Sequence, residues 1–311
     1  MDKIHYFAFA GGGCRGLAYL GTLLAIEEYF QNGVLLRSNI KGCIGTSIGA
    51  IFALACVVRV PPRRMFELLW RDHLLARLEP EVDPATVHDT FGLNDGSALK
   101  WMAETLLQEA TPPVLPVTAT FANLHEQGFP DLVVTVTDLS LNKVCHLSYQ
   151  TDPDMPVALA VAASMSVPVL FRPVKWKDRL LVDGALLENV SASYFPLRHT
   201  LVFRLGRDTA EPCTATALCA VGFTGYLRRL LGCSLAHQEQ LHLDSTIRAA
   251  AEGGSASIAL HIIDVYTGGS AETFSFRLTR KQQLDTIIAG LLLTHDAIFY
   301  IRGSMMKIAT K

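Results

Sequence analysis

Gly45-Thr46-Ser47-Ile48-Gly49, led in by Cys43-Ile44 and followed by Ala50-Ile51-Phe52-Ala53-Leu54-Ala55-Cys56-Val57-Val58, is the stretch on which the reading of this chain turns. It fits G-x-S-x-G, the pattern of a serine held on a sharp turn between a strand and a helix. The turn crowds the serine backbone, so positions 45 and 49 must carry no side chain. The hydroxyl then stands at a helix N-terminus, where the helix dipole favours developing negative charge. The pattern is short enough to arise by chance, so its surroundings have to decide.

Upstream, Ile4 to Ala10 reads as a short buried strand, Gly11-Gly12-Gly13-Cys14-Arg15-Gly16 follows at once, and Leu17, Leu20 and Leu24 mark a helix to about Phe30. A strand, a glycine-rich turn and a helix make an anion cradle, because converging backbone N–H groups are not blocked by Cβ atoms. One candidate anion is a dinucleotide pyrophosphate. That fingerprint wants an acidic residue ending a second strand, whereas Glu27 and Glu28 lie inside the helix, and no P-loop Gly-Lys-Ser/Thr is present. The other candidate is the oxyanion of acyl transfer. A second strand, Ile40 to Ile44, completes a β-α-β unit that sets the glycine turn and the serine turn at the same carboxyl edge of neighbouring parallel strands. The oxyanion fits better.

Downstream, helices are expected over Arg63 to Leu78, Ser97 to Glu109, Pro156 to Met165, 215–232 and 279–302. Gly92 to Gly96 reads as a turn, and Leu132–Thr137 with Lys143–Leu147 as an antiparallel pair within a mixed sheet. Leu180-Leu181-Val182 forms a short strand with Asp183-Gly184-Ala185 at its carboxyl end; further strands fall at Thr200 to Leu205 and Ser257 to Val265. With no repeat, low-complexity segment or clean linker, residues 1–311 are expected to form a single domain.

The 311 residues are 50% hydrophobic and 18% charged, against a usual charged share of about 25%. A large core, or apolar surface left for a partner, follows. A net charge of −2 is no footprint for nucleic acid. Ten histidines and seven cysteines are scattered without C-x-x-C or H-E-x-x-H, so no metal or cofactor is expected. The odd cysteine count, a start too mixed for a secretory signal and the lack of an apolar run of about 20 residues predict a cytoplasmic chain with free thiols and no transmembrane helix.

Taken together, Gly11 to Gly16, Gly45 to Gly49, Gly92-Leu93-Asn94-Asp95-Gly96, Thr137-Asp138-Leu139, Ala163-Ser164-Met165-Ser166-Val167-Pro168 and Asp183-Gly184-Ala185 resemble, in order, the signatures of the patatin-like phospholipases. The resemblance covers roughly residues 4–206. It implies a three-layer α/β/α sandwich around a mixed, mostly parallel central sheet. It also implies a lipid acyl hydrolase that acts on phospholipids or neutral lipids through a serine–aspartate dyad without histidine. Carried over, Ser47 is the nucleophile and Asp183 its partner. Gly12, Gly13, Cys14 and Arg15 are the oxyanion donors, Gly45 and Gly49 flank the elbow, and Gly11, Gly16, Gly184 and Ala185 support the motifs. The lipid substrate would be met at a membrane or lipid-droplet surface, and no protein partner is implied. Two positions depart from the family pattern: Ala10 stands where an acidic residue or serine is usual before the glycines, and Ala185 closes the aspartate triplet in place of glycine.

A Ser-His-Asp esterase would draw on His199, His237, His242, His261 or His295 after Asp183, but only one strand precedes the serine and none of these histidines sits in a glycine-flanked loop. An acyltransferase would use the same acyl-serine, and a catalytically silent lipid-binding or scaffold member would keep the motifs. Asp138 suits a turn, Arg15 a brace for the glycine loop, and Cys14 and Cys43 small packing positions; Phe223 to Leu231 fits a packed amphipathic helix better than an interfacial one.

Overall fold

The computed structural model describes residues 4–29, 39–71, 87–111, 114–206, 261–265 and 278–309, with isolated positions between 214 and 241. Among the described residues ten strands run in chain order as β1 (Tyr6–Phe9), β2 (Gly42–Thr46), β3 (Gly92–Asn94), β4 (Asp131–Asp138), β5 (Lys143–Leu147), β6 (Val169–Phe171), β7 (Val174–Trp176), β8 (Arg179–Asp183), β9 (Thr200–Leu205) and β10 (His261–Val265). The helices that matter here are α1 (Leu17–Tyr29), α2 (Ile48–Val57), α3 (Pro62–Arg71), α4 (Ser97–Gln108), α5 (Phe121–Glu126), α6 (Val157–Met165) and α7 (Arg280–Ala309).

The central sheet follows the order β10-β9-β1-β2-β4-β8-β7, with β5 also paired to β4. The five strands from β10 to β4 are mutually parallel; β5, β7 and β8 are antiparallel to their neighbours. This is the mixed, mostly parallel α/β arrangement expected from the sequence.

Strand alternation explains how it is packed. Phe7 and Phe9 of β1, Leu201 and Phe203 of β9, Cys43 of β2 and Val134 and Val136 of β4 all enter one large core with the buried faces of α1, α2, α4 and α6. Ala8, Ile44, Val133 and Val202 point the opposite way, to a smaller cluster closed by Val190, Ala192 and Phe195. Phe9 stacks on Phe203 at 4.5 Å between ring centroids, and burying one such ring is worth about 2–3 kcal/mol. The run after Ser47 is apolar on every side because α2 is buried on nearly every side. In the last hundred residues, α7 packs along α1, where Thr294 donates to Thr22 at 3.0 Å, and β10 extends the sheet.

Elsewhere the expected elements hold with shifted ends. Gly92 to Gly96 differs: Gly92–Asn94 is a strand paired in parallel with β6, and only the residues after it turn. A partner 77 residues away in sequence at Val169 supplies the hydrogen bonds that no local pattern announces. The C-terminal part of the Arg63–Leu78 helix, 257–260 and most of 215–232, including most of Phe223 to Leu231, lie outside the described residues.

Candidate active site

Strand β4 brings the two ends of the site together. Its one edge carries β5 opposite Val134–Asp138. Its other edge is shared: β2 pairs with Asp131–Thr135 and β8 pairs with Val136–Asp138. The two strands therefore meet head to head, Thr46 opposite Thr135 and Asp183 opposite Val136. Both chains must leave the sheet where they meet. Ser47 turns away into α2, and Gly184 turns into a short 3₁₀ helix, passing so close to β4 that a methyl group on it would lie 2.3 Å from the Thr135 carbonyl oxygen.

Ser47 sits at φ 54°, ψ −129°, a conformation that costs a residue with a Cβ about 1–3 kcal/mol and persists only where its surroundings impose it. Those surroundings are tight. A Cβ on Gly45 would meet the Gly49 carbonyl oxygen at 2.4 Å, and one on Gly49 would meet the Phe9 carbonyl oxygen at 2.3 Å. Ser164 on α6 holds the turn from the side: its hydroxyl accepts the Ser47 N–H at 2.8 Å and donates to the Thr135 carbonyl at 2.6 Å.

The Ser47 hydroxyl donates to Asp183 Oδ2 at 2.6 Å. Asp183 Oδ1 accepts the Ala185 N–H at 2.8 Å, which fixes the carboxyl plane. Both side chains are almost fully buried. Burial pushes the Asp183 carboxyl up from its ordinary 3.8 to about 7, against the opposing pull of the bonds from Ser47 and the Ala185 N–H. A carboxylate so placed is charged above neutrality and basic enough to accept a hydroxyl proton. Among the described residues no histidine hydrogen-bonds to Asp183.

The glycine loop borders the serine. A Cβ on Gly11 would stand 3.0 Å from Ser47 Cβ, and one on Gly16 would stand 2.5 Å from Ile48 Cγ1. Gly12, Gly13, Cys14 and Arg15 span the interval, with Gly13 at φ 57° opening a 3₁₀ turn into α1. Arg15 donates through Nη1 to the Gly206 carbonyl at 3.2 Å, bracing this loop against the end of β9. Tyr19 donates to the carbonyls of Ala10 and Phe203, fixing the strand just before the glycines.

Asn189 and Ser164 are the two polar side chains at the site to which sequence reasoning assigned no role. Asn189 Oδ1 accepts the Gly11 N–H at 2.9 Å, so the loop after Asp183 latches the glycine loop. Ser164 lies within the Ala163–Pro168 segment, and its adjacency to Ser47 is visible only across 117 residues of sequence. Asp138 holds the β4–β5 turn through the N–H groups of Ser140 and Leu141 and pairs with Arg179. Cys43 is fully buried, and burial raises its thiol well above the ordinary range, as suits a packing residue.

Replacing Ser164 with Ala would leave the Ser47 N–H and the Thr135 carbonyl buried without partners. The expected cost is about 2–3 kcal/mol of stability, together with slower turnover from a loosened elbow. Denaturant unfolding with a parallel assay of turnover measures both.

A sheet of this order, turning a serine at left-handed φ out of a parallel strand against a buried carboxylate and a glycine loop, defines an α/β protein of the patatin type. The chain belongs to the patatin-like phospholipase family, whose model matches residues 7–196. Among curated relatives it is 25% identical over 182 residues to the probable lipid hydrolase 463L of Invertebrate iridescent virus 6, covering 58% of this chain and 59% of that protein. It is 25% identical over 189 residues to an intracellular phospholipase A2 of Caenorhabditis elegans, covering 60% of this chain and 16% of that protein. The match thus spans about six-tenths of the viral relative and a small part of the nematode one. The fold is shared with VipD from Legionella pneumophila, at a TM-score of 0.57 and 16% identity over 96% of this chain and 67% of that one.

Among the described residues no group of His, Cys, Asp or Glu could hold a metal ion, and no helix is long and apolar enough to cross a membrane.

Proposed function

We propose that this chain is a lipid acyl hydrolase that cleaves carboxylic ester bonds through an acyl-serine on Ser47, with Asp183 as its only acid–base partner. The observation that carries the reading is the 2.6 Å hydrogen bond between a strained, elbow-held hydroxyl and a carboxyl whose pKa burial has moved to about 7. Ser47 Oγ adds to the ester carbonyl as its proton passes to Asp183. The oxyanion that forms faces the backbone of Gly12, Gly13, Cys14 and Arg15 and the N-terminus of α2. Collapse expels the alcohol, which takes the proton back from Asp183. Water then gives its proton to Asp183, adds to the acyl-serine and releases the fatty acid, and Ser47 recovers its proton. No step draws on a metal or cofactor.

The lipid assignment gains support from the space beside the serine. A small apolar cleft, open to solvent, starts at Gly13 and Ile48 and is walled by Phe52, Met65, Met102 and Leu106. Its walls offer an acyl chain almost no polar surface. Incubation of the protein with a mixed lipid extract, followed by mass spectrometry of the products, tests the reading. Free fatty acid with a matching lyso- or deacylated lipid is expected; unchanged lipids would overturn it.

The carboxyl sets a pH profile. Asp183 must be ionised to act as base, so kcat/KM on a soluble neutral ester should fall about tenfold per pH unit below 7 and level off above it. A limb centred near 4 instead would show that burial does not govern this carboxyl.

A further inference from the structure

Beyond the level of Ser47, β4 continues through Val136 to Asp138 before turning into β5, and β8 enters from the same side out of its hairpin with β7. The two turns therefore stand out past the carboxyl edge of the sheet, where the site lies. From Thr135, level with Thr46, to Asp138 is three residues, a rise of about 10 Å. The turns are bound to each other: the Leu139 N–H donates to the Leu180 carbonyl at 2.9 Å, and the Leu180 N–H donates to the Ser140 hydroxyl at 3.0 Å. Beneath them Arg179 bridges Asp138 and Asp152 at 2.7 and 2.8 Å. The result is a braced projection with fixed surface chemistry.

That chemistry is apolar and basic together. Leu139 and Leu141 are 40% and 53% exposed. Lys143, Lys175 and Lys177 belong to the same two hairpins, all exposed, and Lys177 lies over the half-buried Trp176 ring at 5.5 Å. Asp178 is the one acidic side chain in 139–143 and 175–178, so the projection is net positive on a chain of net charge −2. Exposed leucines, lysines and a half-buried indole on paired turns match the boundary between hydrocarbon and anionic headgroups.

We propose that the β4–β5 and β7–β8 turns dock the protein on an anionic phospholipid surface. Apolar groups of interfacial elements sink about 5–10 Å below the headgroups. Insertion to that depth would bring the carboxyl edge of the sheet, where Ser47 lies, toward the headgroup layer. The choice of a lipid surface rests on the hydrolase reading, but docking is measured without turnover.

The test is flotation of the whole chain with phosphatidylcholine vesicles and with phosphatidylcholine–phosphatidylglycerol vesicles, beside hydrolysis of a soluble short-chain ester. Binding should favour the anionic vesicles and weaken as salt shortens the screening length. Each of Lys143→Gln, Lys175→Gln and Lys177→Gln should weaken it about fivefold. The double change Leu139→Ser/Leu141→Ser should weaken it tenfold or more, while Leu141→Trp should tighten it and place a fluorophore that brominated lipid quenches. Soluble-ester hydrolysis and the thermal midpoint should stay unchanged in all of them. Equal binding to both vesicles, no binding to either, or binding indifferent to these substitutions would overturn the proposal. Should the wild type dock through these residues yet fail to cleave the soluble ester, the hydrolase reading falls and the docking surface stands.

Discussion

Asp183→Asn should abolish useful turnover and, at pH 8, yield a more stable protein. The loss of rate follows from the proposed role: removal of the carboxylate that accepts from the Ser47 hydroxyl, its one hydrogen-bond acceptor among the described residues, should lower kcat/KM by about 10³-fold or more. The gain in stability follows from burial. The folded protein holds the Asp183 proton up to about pH 7, whereas an unfolded chain releases it near 3.8. Between those values the unfolded state binds fewer protons, so stability declines as pH rises, by about 1.4 kcal/mol per unit, and is flat above 7. The whole penalty reaches up to about 4 kcal/mol. Asparagine keeps the shape, accepts the Ala185 N–H through Oδ1 and offers Nδ2 to Ser47, but never ionises. Denaturant melts of both proteins at pH 5 and pH 8 should show the variant's advantage widening from the lower pH to the higher, by about 2.7 kcal/mol over the two units between 5 and 7. A wild type as stable at pH 8 as at pH 5 would mean that the carboxyl is better solvated than its surroundings indicate.

Ser47→Ala should have the larger kinetic effect. Without the hydroxyl no acyl-enzyme forms, and losses of about 10⁴–10⁶-fold are usual when a covalent nucleophile is removed. A fluorophosphonate should label the wild type at Ser47 and leave the variant unlabelled. Labelling elsewhere, or turnover that survives the substitution, would transfer the chemistry to another residue and remove the basis of the mechanism.

The strand–turn–helix around Ser47 and the glycine loop were legible because each is local: glycines where backbones touch, an apolar run where a helix is buried. The pairing of Leu132–Thr137 with Lys143–Leu147 was legible because a four- or five-residue turn joins them. Asn189 and Ser164 were not, since each acts on backbone more than a hundred residues away and would look the same as a surface amide or a helix hydroxyl. Gly92–Asn94 was read as a turn for the same reason; its strand character comes from Val169–Phe171. Strand β7 went unread because Pro173 and two lysines hide an edge strand that pairs on one side only among the described residues. The resemblance pointed to Asp183, which an Asp-Gly turn alone could not have singled out from Asp138, and the structure sets its carboxyl 2.6 Å from the Ser47 hydroxyl.

Because β2 and β8 abut on one edge of β4, the gap between hydroxyl and carboxyl is gauged by the single peptide unit joining Thr135 to Val136. No flexible loop has to close to set it. Lengthening β4 there by one residue would pull the pair apart by about 3.3 Å and flip the faces of everything beyond. This stretch of strand acts as the ruler for the Ser47–Asp183 hydrogen bond and has no tolerance for insertion.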